Sequence, residues 1–309
     1  MTSDTTTRGV RGARASNWGR WGADDERGAL NLITPDAVLG ALRACRTGVV
    51  YPLGLPIQAQ GSGPVFDYRG RPQRLTLTNQ ADPGSYVDYG AAPDVGSNED
   101  VLLLASHTLT HMDALSHVFA EGTLYNGFPV ETARTHTGAA RCGIDKVGGV
   151  VGRAVHLDLP GQRQAPWLEP GYVITADDLR SCADHQGVTI GPGDILLVRT
   201  GYLDYWHSLA NPAEAVVQPG IGLDAVDLIA ERDVAAVGSD NSAVEPVPFD
   251  QDIFLGVHME LLINLGVPLF EHLDLGGLAA DSVYECLFVA SPLNVPGASG
   301  SPVNPLAIG

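Results

Sequence analysis

Three histidines and an aspartate lie within one run of eleven residues, a density that favours metal binding. The stretch reads S-H-T-L-T-H-M-D-A-L-S-H and contains His107, His111, Asp113 and His117. Neutral imidazole and carboxylate are the ligands that proteins offer to zinc, manganese and iron(II). One histidine in a polar loop usually only satisfies hydrogen bonds, but four potential ligands so close together indicate a site for a divalent metal.

The spacing of these four residues predicts a bend in the backbone. On a regular helix His107 and His111 share a face, but Asp113 points roughly 200° away from His111, at about 100° per residue. On a strand all four share a face, but His107 and His111 are then roughly 13 Å apart, at about 3.3 Å per residue. Neither element brings all four side chains to one ion. We therefore expect the chain to bend after a strand that covers the apolar run 101–105.

Two distant residues are candidates to complete the site or to transfer protons. His258 lies at the start of a predicted helix, 257–265, and Glu271 follows a predicted strand, 267–270. Both side chains could then project from one edge of the fold. The alternative, a helix-start histidine and a surface glutamate, stays open.

Two chemistries use ligands of this kind. In a hydrolase, the metal lowers the pKa of bound water from about 15.7 to about 7 and polarises a carbonyl, while a neighbouring His or Glu handles the proton. A non-haem iron(II) oxygenase uses two histidines and one carboxylate, here His111, Asp113 and His258. The oxygenase leaves the other three candidate groups without a role, and this surplus favours hydrolysis.

The charge and composition of the chain argue against several classes of partner. A formal net charge of −18 disfavours nucleic acids and anionic membranes, which need basic patches. No apolar run reaches the length of about 18 residues that a transmembrane helix needs. Lys146 is the one lysine, so lysine-dependent chemistry has a single candidate. The four cysteines form no C-x-x-C pair, which indicates reduced thiols in a cytoplasmic protein.

The order of the segments predicts a mixed α/β fold with long loops. We expect a disordered N-terminal tail over residues 1–16 and one domain over 17–309. Trp18 and Trp21 lie in a loop-like segment, and either pack on the domain surface or cover an active site or a subunit contact. Helices are predicted to begin at Thr34 and Thr175, each a hydroxyl N-cap. Residues 58–100 are predicted to form a long connection with one hairpin, and residues after 290 a Pro/Gly/Asn-rich tail.

The central motif resembles a family signature. H-T-L-T-H-M-D-A-L-S-H is similar to the H-x-G-T-H-x-D-x-P-x-H pattern of the putative-cyclase superfamily, which includes bacterial kynurenine formamidase, isatin hydrolase and trans-dienelactone hydrolase. Segments 17–32, 193–201, 234–240 and 258–271 look similar to the family too. The resemblance therefore runs from about residue 17 to the C-terminus.

The resemblance implies a fold, an assembly and a set of ligands. The fold is a swivelling β/α/β-type domain around a small barrel-like sheet, usually assembled as a homodimer or higher homo-oligomer. Carried over onto this sequence, the family's metal ligands are His107, His111 and Asp113. His117 matches a proton carrier or a ligand to a second metal, and His258 and Glu271 match the pair that completes a two-metal site in the formamidases.

Two residues depart from the signature. Leu109 stands at the motif glycine and Leu115 at the motif proline, so we expect a different pocket shape with the metal ligands kept. The expected activity is that of a metal-dependent hydrolase, with zinc or manganese, that cleaves a C–N or C–O bond of a small cyclic amide, lactone or aryl formamide. The alternatives are the iron oxygenase and a polyketide-type cyclase or non-catalytic metal-binding homologue.

Overall fold

A curled nine-stranded sheet lies at the centre of the structure, a computed structural model that describes residues 9–10, 13–59, 61–82, 84, 86–211 and 215–309. The strands across these residues are β1 Val50–Pro52, β2 Gln73–Thr78, β3 Glu99–Leu103, β4 His111–Asp113, β5 Ala133–Arg134, β6 Gly138–Ala139, β7 Val150–Asp158, β8 Val173–Ile174, β9 Ile195–Arg199, β10 Gly220–Ile221, β11 Ala236–Ser239, β12 Leu269–Glu271, β13 Glu285–Ala290, β14 Gly300–Pro302 and β15 Leu306–Ile308. The predicted mixed α/β class is confirmed, while the swivelling β/α/β-type arrangement stays a prediction.

Helices of three kinds connect these strands. The α-helices are α1 Pro35–Ala41, α2 Leu159–Gln162, α3 Ala176–Gln186, α4 Tyr202–Ser208, α5 Leu223–Glu231, α6 Gly256–His258 and α7 Gly276–Ala280. A π-helix, Met259–Leu265, continues α6. Short 3-10 turns cover Gly28–Leu32, Leu42–Ala44, Asp67–Arg69, Val87–Tyr89, Tyr125–Gly127, Val130–Thr132, Ile144–Lys146 and Asp250–Asp252.

The sheet combines a parallel centre with antiparallel flanks. Its strand order is β1-β15-β13-β7-β9-β11-β12-β4-β14. Strands β7, β9, β11 and β12 are parallel neighbours, and the remaining pairs are antiparallel. Each parallel step needs a crossover, which α2 and α3, then α4 and α5, then α6 and the π-helix provide. The site strand β4 therefore lies at the antiparallel end of the sheet.

Apolar strands are buried on both faces of the sheet centre. Along β9, Leu196 and Val198 belong to the larger core cluster, and Ile195 and Leu197 to the smaller one. This alternation follows from the two-residue period of a strand. Because helices cover the larger cluster, polar side chains buried there cannot form hydrogen bonds with water. They need hydrogen-bond partners within the protein.

Sequence patterns located the starts of the helices that they predicted. Thr34 accepts a hydrogen bond from Ala37 N at the start of α1, and Thr175 forms a capping box with Asp178 at the start of α3. The predicted helix 257–265 is present, but it consists of the short α6 and the π-helix. The predicted Pro/Gly/Asn-rich tail after residue 290 contains two strands of the central sheet, β14 and β15, which the sequence analysis did not predict.

The long connection contains the predicted hairpin, formed by β2 and β3. Leu75, Val101 and Leu103 lie on one face of this hairpin and are 40–59% exposed. The other face carries an ion pair of 2.6 Å between Arg74 and Asp100. The apolar face thus has little cover from the residues that the structure describes.

The N-terminal segment contacts the domain where it is described. Residues 1–8, 11 and 12 of the predicted disordered tail lie outside the described residues, and the predicted domain bounds stay a prediction. Val10 N donates to Asn264 Oδ1 at 2.9 Å, and Trp18 Nε1 donates to Ile263 O at 2.6 Å. Trp18 and Trp21 pack against the larger core cluster, in line with the surface-packing alternative. No helix among the described residues is long and apolar enough to cross a membrane.

Candidate metal centre

The register of two strands brings three predicted site residues together. Because β4 pairs antiparallel with β12, Glu271 lies directly opposite His111. Asp113 is two residues after His111 on β4 and therefore shares its face. His111 Nε2 lies 3.4 Å from Asp113 Oδ1 and 3.3 Å from Glu271 Oε2. The expected bend is confirmed: β3 ends at Leu103, and the loop 104–110 leads the chain into β4.

Two further histidines approach the same carboxylate from loops on either side of β4. His107 Nε2 lies 3.3 Å and His117 Nε2 4.0 Å from Asp113 Oδ1, and the two rings stack with centroids 3.8 Å apart. Strand β14 passes beside His107. A Cβ atom at Gly300 would overlap His107 Nε2 and lie only 2.8 Å from Met112 O. The absence of a side chain at Gly300 therefore leaves room for the His107 ring.

The fourth histidine is oriented by a buried carboxylate. His258 Nε2 lies 3.8 Å from Asp113 Oδ2 and 3.4 Å from Glu271 Oε1. On the other side of the ring, Nδ1 lies 2.5 Å from Glu245 Oε1. Glu245 also accepts from the backbone N–H groups of Val257 and His258, both at 3.2 Å. Since a carboxylate accepts, Nδ1 donates to Glu245, and Nε2 faces the acidic side of the cluster.

The residue at the motif glycine shapes the backbone of the site. Leu109 has φ 55, in the left-handed region that costs a non-glycine residue about 1 kcal/mol. In this conformation its carbonyl accepts from His111 Nδ1 at 2.7 Å and from His272 Nδ1 at 3.1 Å. A carbonyl can only accept, so His111 Nδ1 carries a proton, and Nε2 is the nitrogen that can bind a ligand when the ring is neutral. Ser242 Oγ, 2.7 Å from His272 Nε2, fixes the second ring.

Burial controls protonation on the loop side of the site. Burial lowers the pKa of His107 to about 3, although Asp113 opposes this shift. Burial also lowers the pKa of His117. Burial works against ionisation of Asp113, but the surrounding histidines hold its pKa well below the usual value. At neutral pH His107 and His117 are therefore neutral bases beside an ionised carboxylate.

The other side of the site has excess negative charge. Burial and then the neighbouring Asp113 raise the pKa of Glu271. Burial disfavours a charged His258, yet the carboxylates of Glu245 and Glu271 raise its pKa to about 10. The positive charge of protonated His258 thus balances the negative charge of the carboxylates, and a bound cation could balance that charge instead.

The donor atoms fit a divalent metal. His107 Nε2, His111 Nε2 and both carboxylate oxygens of Asp113 are buried without a hydrogen-bond partner. Buried polar atoms without a partner are rare because their desolvation is costly. Candidate ligand atoms form two groups that share Asp113, one with His107 and His117 and one with His111 and Glu271, each within 4.8 Å. Imidazole nitrogens with carboxylate oxygens suit zinc and manganese.

The structure brings all six residues proposed from the sequence to one place. They are His107, His111, Asp113, His117, His258 and Glu271, and we call them the histidine–carboxylate cluster. Their division into metal ligands and proton carriers stays a prediction. Sequence reasoning missed five residues that contact the cluster or its second layer, namely Arg69, Ser242, Glu245, His272 and Gly300. Only His272, next to Glu271, carried a signal, since it extends the run of titratable residues.

The cluster opens toward solvent at His117. Its side chain is 23% exposed, more than those of its partners in the cluster. Val118, the residue after His117, lines a cavity of about 360 Å³ together with Phe119, Phe254 and Met259. The chain that follows His117 therefore carries apolar surface.

Comparisons with known proteins agree with the geometry. A model of the family described as "Putative cyclase" matches residues 52–246. A crystal structure of a protein described as a novel cyclase is 38% identical, covers 96% of this chain and 98% of its own, and superposes with a TM-score of 0.86. No match emerges among the curated proteins.

Two more distant structures share the fold. Isatin hydrolase A from Ralstonia solanacearum is 20% identical, with coverage of 89% of this chain and 97% of its own and a TM-score of 0.62. A predicted metal-dependent hydrolase from Bacillus stearothermophilus is 21% identical, with coverage of 84% and 97% and a TM-score of 0.52. The family match spans the central motif, and the 38% identity extends over almost the whole chain. The chain therefore belongs to the putative cyclase family.

Proposed function

We propose that the protein is a divalent-metal-dependent hydrolase that cleaves a C–N or C–O bond of a small cyclic amide, lactone or aryl formamide. The observation that carries the proposal is the convergence of buried, unpartnered ligand atoms on Asp113. The fold shared with isatin hydrolase and with a predicted metal-dependent hydrolase supports it. Zinc or manganese as the ion, and arylformamidase-like specificity, are part of the proposal.

The cluster offers enough ligands for one ion or two. His107, His111 and Asp113 would hold the first ion. His117, His258 and Glu271 are the groups available to a second ion or to proton transfer. When bound, such a metal lowers the pKa of a coordinated water to about 7 and polarises the substrate carbonyl.

The protein's own side chains move the protons. His117 is neutral and partly exposed, so its imidazole can accept a proton from the attacking water. The water oxygen adds to the carbonyl carbon, the C–N or C–O bond breaks, and His117 returns the proton to the leaving nitrogen or oxygen. His258 and Glu271, 3.4 Å apart, share a further proton. Glu245 keeps His258 in the orientation that this exchange requires.

Chelation and metal add-back test the proposal. The protein is assayed with formamides, isatin-like lactams and dienelactones before chelation, after chelation, and after addition of Zn²⁺ or Mn²⁺. We expect activity to disappear and return, and Asp113→Asn to abolish it. Activity that survives complete metal removal contradicts the proposal. Oxygen consumption by the iron(II)-loaded protein would instead support the oxygenase, and inertness toward the whole panel the non-catalytic homologue.

We also propose a homodimer or higher homo-oligomer as the working assembly. An isolated two-stranded hairpin is marginally stable in water, and the apolar face with Leu75, Val101 and Leu103 needs cover. A second copy presents the same face and can cover it in a two-fold contact. Light scattering should give at least twice the chain mass, and Leu103→Asp should shift it toward the monomer. A wild-type monomer contradicts this assembly.

The remaining proposals concern partners and compartment. The substrate is a small molecule, and neither nucleic acid nor membrane is a partner, in keeping with the net charge of −18. Cys45, Cys142, Cys182 and Cys286 are all free, and three of them are buried. Free thiols support a cytoplasmic location.

A further inference from the structure

One arginine from the long connection reaches the histidine–carboxylate cluster. Arg69 ends the 3-10 turn Asp67–Arg69, and its Nη1 donates to His107 O. The guanidinium therefore lies against the backbone of His107, although Arg69 lies 38 residues before His107 in the chain.

The guanidinium of Arg69 has unused hydrogen-bond donors. A guanidinium has five N–H donors in a planar fork, and within the described part of the chain the one hydrogen bond of this side chain goes to a backbone carbonyl. Among the residues that the structure describes, no carboxylate forms an ion pair with Arg69. Arg74 and Arg199, by contrast, pair with Asp100 at 2.6 Å and with Asp158 at 2.8 Å. A half-buried guanidinium with unused donors is suited to bidentate binding of an anion.

Two aromatic rings lie next to this cation. The Arg69 guanidinium carbon is 5.4 Å from the ring centroids of both Phe66 and Tyr68. The two rings are stacked, with centroids 5.8 Å apart and an angle of 24° between their planes. Both are exposed, Tyr68 to 79%. The connection thus presents flat apolar surface beside a positive charge, close to the cluster.

We propose that Arg69 binds a carboxylate of the substrate, so that the site selects aromatic amides or lactones that carry a carboxylate group. The inference rests on the proposed hydrolase function and specifies its substrate class. The carboxylate occupies the free N–H groups of Arg69, and the ring of the substrate contacts Phe66 and Tyr68. A chain with a net charge of −18 repels anions at long range, and Arg69 provides the local attraction that an anionic substrate needs.

Binding of two small probes tests the inference without turnover. The affinities of benzoate and benzamide for the metal-loaded protein are measured by calorimetry in wild type, Arg69→Gln, Arg69→Lys and the control Arg71→Gln. Arg71 lies in the same connection but donates to Ala59 O, away from the cluster. We expect wild type to prefer benzoate, and Arg69→Gln to weaken benzoate about 10- to 100-fold with benzamide changed less than about twofold. Arg69→Lys keeps the charge but loses the fork, so its loss should be intermediate.

Three results would overturn the inference. The first is equal affinity of the wild type for benzoate and benzamide, and the second is an unchanged benzoate affinity in Arg69→Gln. The third is an equal loss of affinity for both probes in Arg69→Gln, which would show that Arg69 only holds the connection in place. Thermal unfolding checks that each variant is folded. If Arg69→Gln does not fold, the benzoate affinity of Arg69→Lys is compared with that of the wild type instead.

Turnover separates this inference from the proposed function. N-formylanthranilate and formanilide share the reacting formamide and differ in the carboxylate. If Arg69→Gln raises KM for the first substrate alone, the inference holds for catalysis as well. If neither substrate nor any of the lactams and lactones is hydrolysed while benzoate binding still depends on Arg69, the proposed function fails and the anion site stands. If both substrates are hydrolysed and Arg69→Gln leaves both KM values unchanged, the proposed function stands and the inference about Arg69 fails.

Discussion

Replacing Gly300 by alanine should displace His107 and weaken metal binding. The added Cβ would overlap His107 Nε2 and lie 3.0 Å from His107 Cδ2 and 2.8 Å from Met112 O. The Met112 carbonyl belongs to the paired strand β4 and cannot yield easily, because β14 is hydrogen-bonded to it. The imidazole must therefore give way.

The size of the displacement follows from ordinary contact distances. Carbon atoms pack comfortably from 3.4 Å, so His107 Cδ2 must withdraw by at least 3.4 − 3.0 = 0.4 Å, and Nε2 by more. Metal–ligand distances tolerate only about 0.2 Å. We expect metal affinity to fall about 10- to 100-fold and the free energy of unfolding of the metal-free protein to fall by about 1–3 kcal/mol from overpacking. Calorimetric titration with Zn²⁺ or Mn²⁺ and denaturant unfolding measure the two effects.

Gly40 provides the matched control. An added Cβ at Gly40, within α1, meets no atom within 4 Å, so Gly40→Ala should leave metal affinity unchanged and stabilise the helix by up to about 1 kcal/mol. In a His107→Ala background, Gly300→Ala should cost less stability, since the ring is gone and only the close contact with Met112 O remains. Wild-type metal affinity in Gly300→Ala would refute the steric reasoning.

Three further predictions follow from protonation. Glu245→Gln removes one of the two carboxylates that raise the pKa of His258 to about 10, so this pKa should fall in the metal-free protein and activity should drop about 10- to 100-fold. An NMR titration of His258 that matches wild type contradicts the positioning role of Glu245. Because His258 is protonated at pH 7 without metal, an ion that recruits it must release a proton, and metal affinity should rise with pH up to about 10; calorimetry in buffers of different ionisation enthalpy that detects no proton release excludes His258 as a ligand. Burial lowers the pKa of His156 to about 4, below its value of about 6.5 in the unfolded chain. This difference contributes about 3 kcal/mol to the free energy of unfolding. The contribution is complete above about pH 6.5 and is lost as the pH falls toward 4. His156→Gln should flatten the stability profile over that range, and parallel profiles for wild type and variant would show that His156 does not titrate as described.

The central motif was readable from the sequence because its chemistry is local. Four potential ligands within eleven residues predict both a metal site and a bend, whatever the rest of the fold does. The caps at Thr34 and Thr175 are equally local, since each involves a residue three positions away. His258 and Glu271 were candidates because one lies at the start of a predicted helix and the other at the end of the predicted strand that follows it, so that both could project from one edge of the fold.

The missed residues act over long distances in the chain. Gly300 lies in a three-residue strand, too short for an alternating pattern, within a Pro/Gly/Asn-rich segment. Arg69 reaches His107 from an irregular connection, and Glu245 reaches His258 from a loop without a motif. Gly300 lies beside His107 because β14 pairs with β4, and no local sequence pattern specifies contacts between segments so far apart in the chain.

The location of a bound metal tests the central claim most directly. Crystals of the protein grown with Mn²⁺ or Zn²⁺ should show an anomalous difference peak with His107, His111 and Asp113 as ligands at roughly 2.0–2.2 Å. Crystals of Asp113→Asn grown in parallel should lack the peak. A wild-type structure with no peak at the histidine–carboxylate cluster, or with the Asp113 carboxylate turned away from it, would contradict the account.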